Sequence, residues 1–131
     1  MTEQNNLSTT SNSSSFMQNF LNLSEEKRKS ESLRILNKYP DRVPVIINPI
    51  DNKAPPISNH KYLVPTNITL GQYMHIVRPK IKINPKEALF FFIGNNKILC
   101  PVGEPISTIY SKYANNDGYL YIYYNIESAF G

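Results

Sequence analysis

Tryptophan is absent from the 131 residues, and cysteine occurs once, at Cys100. A single thiol excludes an internal disulfide framework and a cysteine metal cluster, and it fits a reducing compartment. Only five glycines are present, with no glycine-rich phosphate loop among them. The two histidines, His60 and His75, fall on different predicted elements, so no short-spaced metal-ligand set exists and no metal or other cofactor is expected. Cys100 sits in ILCPVG with no histidine near it. Without a nucleophile, base and orienting group in one pattern, the chain reads as a non-enzyme and Cys100 as a small apolar packing residue. No apolar run of about 18 residues is long enough to span a bilayer. The N-terminus lacks the basic start and apolar stretch of a secretory signal, so a cytosolic protein is expected, in which Asn67-Ile68-Thr69 is never presented for glycosylation.

Positive charge and aromatic residues are what the chain does have. The formal net charge is +4 and the pI about 9.2, which favours acidic partners. Lys27, Arg28, Lys29, Arg34 and Lys38 crowd one predicted helix, but Glu25, Glu26 and Glu31 interleave with them. That mixture describes a solvated face better than a nucleic-acid patch, and no nucleic-acid partner is expected. Six Phe and nine Tyr exceed what a modest core hides, which points to an exposed apolar patch and a binding module.

Residues 1–15 are mostly Ser, Thr and Asn, too poor in apolar side chains to offset the entropy of ordering, and are expected to be a disordered tail. Phe16, Phe20 and Leu23 then mark a short amphipathic helix. Ser24 is placed to cap a second helix that runs to Pro40. The β-branched stretch VPVIINPI (43–50) and the run HKYLVP (60–65) read as a hairpin. Thr69 is placed to cap a helix limited by Pro79, ALFFFI (88–93) reads as a buried strand, and Pro105 opens a short helix as its first residue. Finally NNDG turns into YLYIYY, with Leu120 and Ile122 on one face and Tyr119, Tyr121 and Tyr123 on the other. The order helix, helix, β, β, α, β, α, β predicts an α+β fold: a ubiquitin-like roll with a four-stranded mixed sheet over a helix, two additional N-terminal helices, and the last strand central. The domain spans 16–125, with 126–131 as a flexible C-terminal tail.

The segments KYPDRVPVI (38–46), KYLVP (61–65), TLGQ (69–72), FFF (90–92), DGYLYIYY (117–124) and the terminal Phe130-Gly131 occur in the order seen in the autophagy ubiquitin-like modifiers. From about Lys27 onward the chain resembles that family, the GABARAP and microtubule-associated light chain type. The resemblance implies that Gly131 is activated by an ATP-using activating enzyme, passed to a conjugating enzyme, and amide-linked to phosphatidylethanolamine on autophagosomal or other vesicle membranes. A deconjugating cysteine protease would release it. The free protein is expected to be a cytoplasmic monomer. A terminal glycine suits this role because no side chain crowds the narrow sites through which the tail must thread.

The resemblance also implies recognition of aromatic-x-x-aliphatic motifs in cargo receptors and autophagy factors, each peptide adding as a strand to the edge of HKYLVP. On matching positions, the aromatic pocket comprises Glu31, Ile35, Pro44, Ile46, Lys61, Leu63 and Tyr119, with Lys61 gating its mouth. The aliphatic pocket comprises Tyr62, Val64, Pro65, Ile68, Tyr73, Ile76 and Val77, although Ile76 and Val77 suit plain core packing equally. Lys38, Arg42, Lys61 and Lys80 would meet the acidic residues that flank such motifs, and Phe90 and Phe92 match a second docking face.

Departures from the family pattern are Glu25 in place of a Phe at the start of the second helix, Pro79 in a usually basic cluster, the polar N-terminal tail, and a loop around Asn96 to Pro101 longer by about two residues. The chain shows no residue after Gly131; if the gene also ends there, the product is expected to need no trimming before activation, and a protease only to release it from lipid. The alternative reading is a non-conjugated peptide-binding adaptor in vesicle trafficking or on microtubules.

Overall fold

A computed structural model describes residues 12–128. The element order is α1 (Asn12–Asn22), α2 (Glu25–Lys38), β1 (Arg42–Pro49), β2 (Lys61–Pro65), α3 (Leu70–Val77), a 3-10 turn (Arg78–Lys80), β3 (Glu87–Ile93), β4 (Ile98–Leu99), α4 (Ile106–Tyr113) and β5 (Leu120–Ser128).

The helix ends follow local chemistry. Ser24 caps α2 by accepting from the Lys27 N–H at 3.1 Å, and Glu25 and Glu26 in the first turn complement the helix dipole. Thr69 and Gln72 form a capping box on α3, each side chain bonding the other's backbone N–H, at 2.9 Å and 3.1 Å. Pro79 ends α3 as expected, turning its last residues into the 3-10 turn. Pro105 differs from expectation: it is the N-cap of α4 in extended backbone, not the first helical residue.

The strands form one mixed sheet in the order β2-β1-β5-β3-β4. β1 and β2 make the expected antiparallel hairpin, β1 runs parallel to β5, and β3 runs antiparallel to it, so β5 is central. The expected four strands become five because Ile98 and Leu99 pair with Ile93 and Phe92 as a two-residue edge. So short a strand carries no periodicity for a sequence to display. α1 begins at Asn12, inside the segment expected to be disordered, and β5 continues to Ser128, inside the expected tail. The remainder of both expectations, residues 1–11 and 129–131 with Gly131, lies outside the described residues.

Period-two alternation divides the apolar side chains between two layers. Val43, Val45, Ile47, Leu89, Phe91, Ile93, Leu120, Ile122 and Tyr124 face α3 and α4 in the main core, against Leu70, Tyr73, Val77, Ile106 and Ile109. Ile46, Tyr119 and Tyr121 face the opposite way, where Phe20 of α1 covers them. The ring of Phe20 meets Tyr119 edge-on at 5.1 Å and is 4% exposed. Phe16 stacks on His60 at 4.5 Å. Two aromatic residues one helical turn apart thus seat α1 on the sheet, although the family's usual Phe is Glu25 here and stays exposed. Complete burial of a Phe side chain contributes about 1.5 to 3 kcal/mol.

Candidate functional site

β2 is the edge strand beside β1, so among the described residues no strand pairs with its outer side, where the Lys61 N–H turns to Asn59 Oδ1 at 3.4 Å and an added strand could pair. Directly against it lies a concavity of about 200 Å³, lined by Ile35, Pro44, Val45, Lys61, Tyr62, Leu63 and Tyr119. Five of these residues belong to the expected aromatic pocket. Glu31 stands at its mouth: the Tyr119 hydroxyl donates to Glu31 Oε1 at 2.8 Å, and Lys61 Nζ lies 3.3 Å from Oε2. Burial alone would raise the Glu31 pKa, but the Tyr119 hydroxyl and the Lys61 ammonium outweigh it and hold the carboxylate below its ordinary value. Burial, and then the bond to Glu31, push the Tyr119 hydroxyl well up, so it stays a donor. Lys61 also lies 5.2 Å above the Phe20 ring and 5.9 Å above that of Tyr119.

Ile46 is, besides Glu31, the member of the expected set that does not line the concavity. It is 1% exposed, packs with Phe20, Tyr119 and Tyr121 in the layer under α1, and is not among the residues lining the concavity. The lining gains Val45 and Tyr62 instead. Alternation along β1 tells which residues share a face, but where a groove opens depends on how α2 lies across the sheet.

The expected aliphatic residues gather at the far end of β2 and along α3. Val64 and Tyr73 are buried in the core, with Tyr62 meeting Tyr73 edge-on at 5.9 Å. Tyr62 and Ile68 pack half-buried against the core, and Pro65 is half-buried at the end of the strand. Val77 is fully enclosed by the core and offers nothing to a ligand, whereas Ile76 is 47% exposed. Core packing therefore accounts for Val77 and not for Ile76. A second concavity, of about 580 Å³, shares Ile68 and Ile76 with this set and adds Thr69, Gly71, Gln72, His75 and Val102.

The basic residues divide by position. Arg42 pairs with Pro65 at one end of the hairpin and Lys61 with Ile46 at the other, so both ends of β2 carry a cation. Lys38 is exposed at the end of α2, its ammonium over the Tyr39 ring, and Lys80 is exposed on the 3-10 turn after α3. Phe90 and Phe92 are half-buried on the face of β3 opposite Leu89, Phe91 and Ile93. Cys100 is buried, burial pushes its thiol pKa up, and among the described residues no cluster of His, Cys, Asp and Glu could hold a metal. No described helix is long and apolar enough to cross a membrane.

Behind the site, Asp117 ties α2 to the start of β5. Its carboxylate accepts from Arg28 Nε at 2.9 Å and from the Tyr121 hydroxyl at 2.6 Å, and its other oxygen accepts from the Tyr119 N–H at 3.0 Å. Arg28 in turn reaches the carbonyls of Leu21 and Leu23 at the end of α1. Sequence reasoning placed Arg28 among the solvated charges, and only its pairing with a residue 89 positions away shows otherwise.

The family described as autophagy protein Atg8 ubiquitin like matches residues 27–131. Autophagy-related protein 8 of Schizosaccharomyces pombe is 47% identical over 107 residues, 81% of this chain and 87% of that relative. ATG8 of Trypanosoma brucei superposes with a TM-score of 0.75 at 30% identity, covering 85% of this chain and 95% of the other. Plasmodium falciparum Atg8, solved in complex with a Plasmodium falciparum Atg3 peptide, superposes with a TM-score of 0.69 at 30% identity over 79% of this chain and 91% of that one. With the matched region spanning both helices of the groove and the whole sheet, the chain belongs to the Atg8 family of autophagy-related ubiquitin-like proteins.

Proposed function

We propose that this protein is a modifier joined through the Gly131 carboxylate to phosphatidylethanolamine, and that its β2 edge receives aromatic-x-x-aliphatic motifs of cargo receptors and autophagy factors. The observation that carries the binding half is the apolar concavity of about 200 Å³ beside an unpaired strand edge, with Lys61 and Glu31 at its mouth. Backbone pairing to β2 supplies affinity for any extended peptide, and the concavity selects an aromatic side chain. The motif's aliphatic residue rests on Tyr62, Pro65, Ile68 and Ile76. Arg42 and Lys61 favour acidic flanks, with Lys38 and Lys80 adding to the field.

Conjugation is supported by family membership. The chemistry belongs to the activating and conjugating enzymes: ATP converts the glycine carboxylate to an acyl phosphate-type anhydride with loss of pyrophosphate, an enzyme thiol displaces the nucleotide to form a thioester, and the lipid amine displaces the thiol to leave an amide. An Atg3 peptide is the partner named for the Plasmodium falciparum relative, and a conjugating-enzyme contact of that kind is part of the reading here.

Titration of an aromatic-x-x-aliphatic peptide against wild type and the Tyr62→Ala, Leu63→Ala double variant tests the binding half, with loss of at least about tenfold in affinity expected. Equal affinities would remove the pocket assignment. A glycine-dependent, faster-migrating lipid form in cells, absent from Gly131→Ala, tests the other half; its presence in the variant would overturn conjugation at Gly131.

A further inference from the structure

Resting on the peptide-binding reading, we infer that this chain holds a third apolar subsite, walled by Val102 and α3, for an aliphatic side chain one to three residues C-terminal to the motif's own aliphatic residue. The order of the two motif pockets sets the direction of the peptide. The aromatic concavity touches Lys61 and Leu63, while Pro65 and Ile68 lie further along the chain, so the peptide runs parallel to β2 and leaves past Pro65. Ile68 and Ile76 belong both to the aliphatic set and to the larger concavity, so the two adjoin.

That larger concavity has one wall from α3, where Gln72 and Ile76 stand one turn apart, and one from Val102. Val102 is held in place by backbone. The Gly71 N–H donates to its carbonyl at 2.8 Å, and the Leu70 N–H donates to that of Glu104 at 2.9 Å. A Cβ on Gly71 would lie 3.3 Å from the Val102 carbonyl oxygen, so the loop approaches α3 this closely because that position has no side chain. The loop is thereby fixed while the Val102 side chain stays 58% exposed, facing a groove on which Ile76 is 47% exposed.

The chemistry of the lining selects the occupant. No Lys, Arg, Asp or Glu lines the concavity, in contrast to the cations at both ends of β2. An uncharged aliphatic side chain gains by burial against Ile68, Ile76 and Val102, whereas an acidic one finds no full positive charge in the lining to pair with. Three extended residues span roughly 10 Å, enough to pass from Ile68 along about two turns of α3. The acidic flank and the apolar extension are thus read by different ends of one groove.

The test uses the full unconjugated chain and an acidic peptide with a Trp-Ala-Ala-Leu core followed by three serines, compared with three peptides in which each serine in turn is Leu. In wild type one placement is expected to bind about fivefold tighter than the serine peptide, the effect of partly burying one aliphatic side chain. The gain should persist in Val102→Leu and vanish in Val102→Asp, each measured against the serine peptide on the same protein, while the serine peptide binds wild type and Val102→Leu equally. Absence of any gain, or a gain that survives Val102→Asp, would overturn the subsite. Failure of the serine peptide to bind wild type at all is a separate result, which overturns the motif reading and this inference with it. A concentration-dependent dimer abolished by Val102→Asp would give the groove to a second copy of the chain and equally overturn the proposal.

Discussion

Phe20 of the first helix meets Tyr119 edge-on at 5.1 Å, and Tyr119 in turn donates its hydroxyl to Glu31 at the mouth of the aromatic concavity. The first helix therefore supports the wall of the site from behind. Phe20→Ala should destabilise the protein by about 3 kcal/mol, as expected for a buried Phe replaced by a cavity. It should also weaken binding of an aromatic-x-x-aliphatic peptide by loosening Tyr119. Urea unfolding curves within about 0.5 kcal/mol of wild type would show that α1 does not dock as described.

Gly118 sits under Ser32 of α2 with a positive φ of 86°. A Cβ there would lie 2.2 Å from Ser32 Oγ, which itself donates to the Asp117 carbonyl at 2.6 Å. Gly118→Ala must displace α2 or break that bond, besides straining the backbone, and a loss of about 2 kcal/mol or more is expected. Since α2 supplies Ile35 and Glu31 to the concavity, peptide affinity should fall with it. Thermal unfolding unchanged by the substitution would contradict the contact.

His60 is buried with its Nδ1 donating to the Ile47 carbonyl at 2.9 Å, and Phe16 covers its ring. Burial pulls its pKa below the ordinary 6.5, only partly opposed by the backbone bond. The unfolded chain thus binds the proton more readily. The contribution to stability is complete above about 6.5 and declines as pH falls through and below that value. Melting temperature should drop more steeply with acidification in wild type than in His60→Gln, and parallel profiles would argue against a neutral buried ring.

The Lys61 and Glu31 side chains are 41% and 31% exposed, so their ion pair adds little to stability. Lys61→Ala should change the unfolding free energy by less than about 1 kcal/mol. Affinity for an acidic motif peptide should nevertheless fall several-fold, and the salt dependence of binding should flatten, because a cation at the mouth of the groove is gone. Calorimetry at two ionic strengths separates the effects; an unchanged salt slope would mean that Lys61 does not meet the acidic flank.

Much of the fold was legible because its signals are local. Ser24, Thr69 and Gln72 cap through neighbours three residues away, and Pro79 ends its helix through its own ring. Alternation in YLYIYY sorted Leu120 and Ile122 from Tyr119 and Tyr121 because successive strand residues point to opposite faces. Misplaced details lie where local patterning is silent. Ile98 and Leu99 are too short a strand to alternate, and Pro105 satisfies the first helical turn and the cap position equally in sequence.

The candidate site divides along the same line. Sequence and its family motifs placed Lys61, Leu63, Ile35, Pro44 and Tyr119 in one group, and these do line one concavity. They also placed Ile46 and Val77 on a binding surface, where the first turns under Phe20 and the second is enclosed by the core. Val102 carries no signal, since its position depends on two backbone bonds from α3.

By itself, then, the sequence determined the main helices and strands, which strand is central, and which family the chain resembles, because periodicity, caps and motif order are written in neighbouring residues. Tertiary structure alone decided what stays exposed: that Phe20 closes one face of the sheet, that Arg28 is spent on Asp117 rather than left to solvent, and that Val102 faces Ile76 across an open groove. Exposure is a property of surfaces brought together from distant parts of the chain, and no local pattern encodes the gap that remains between them.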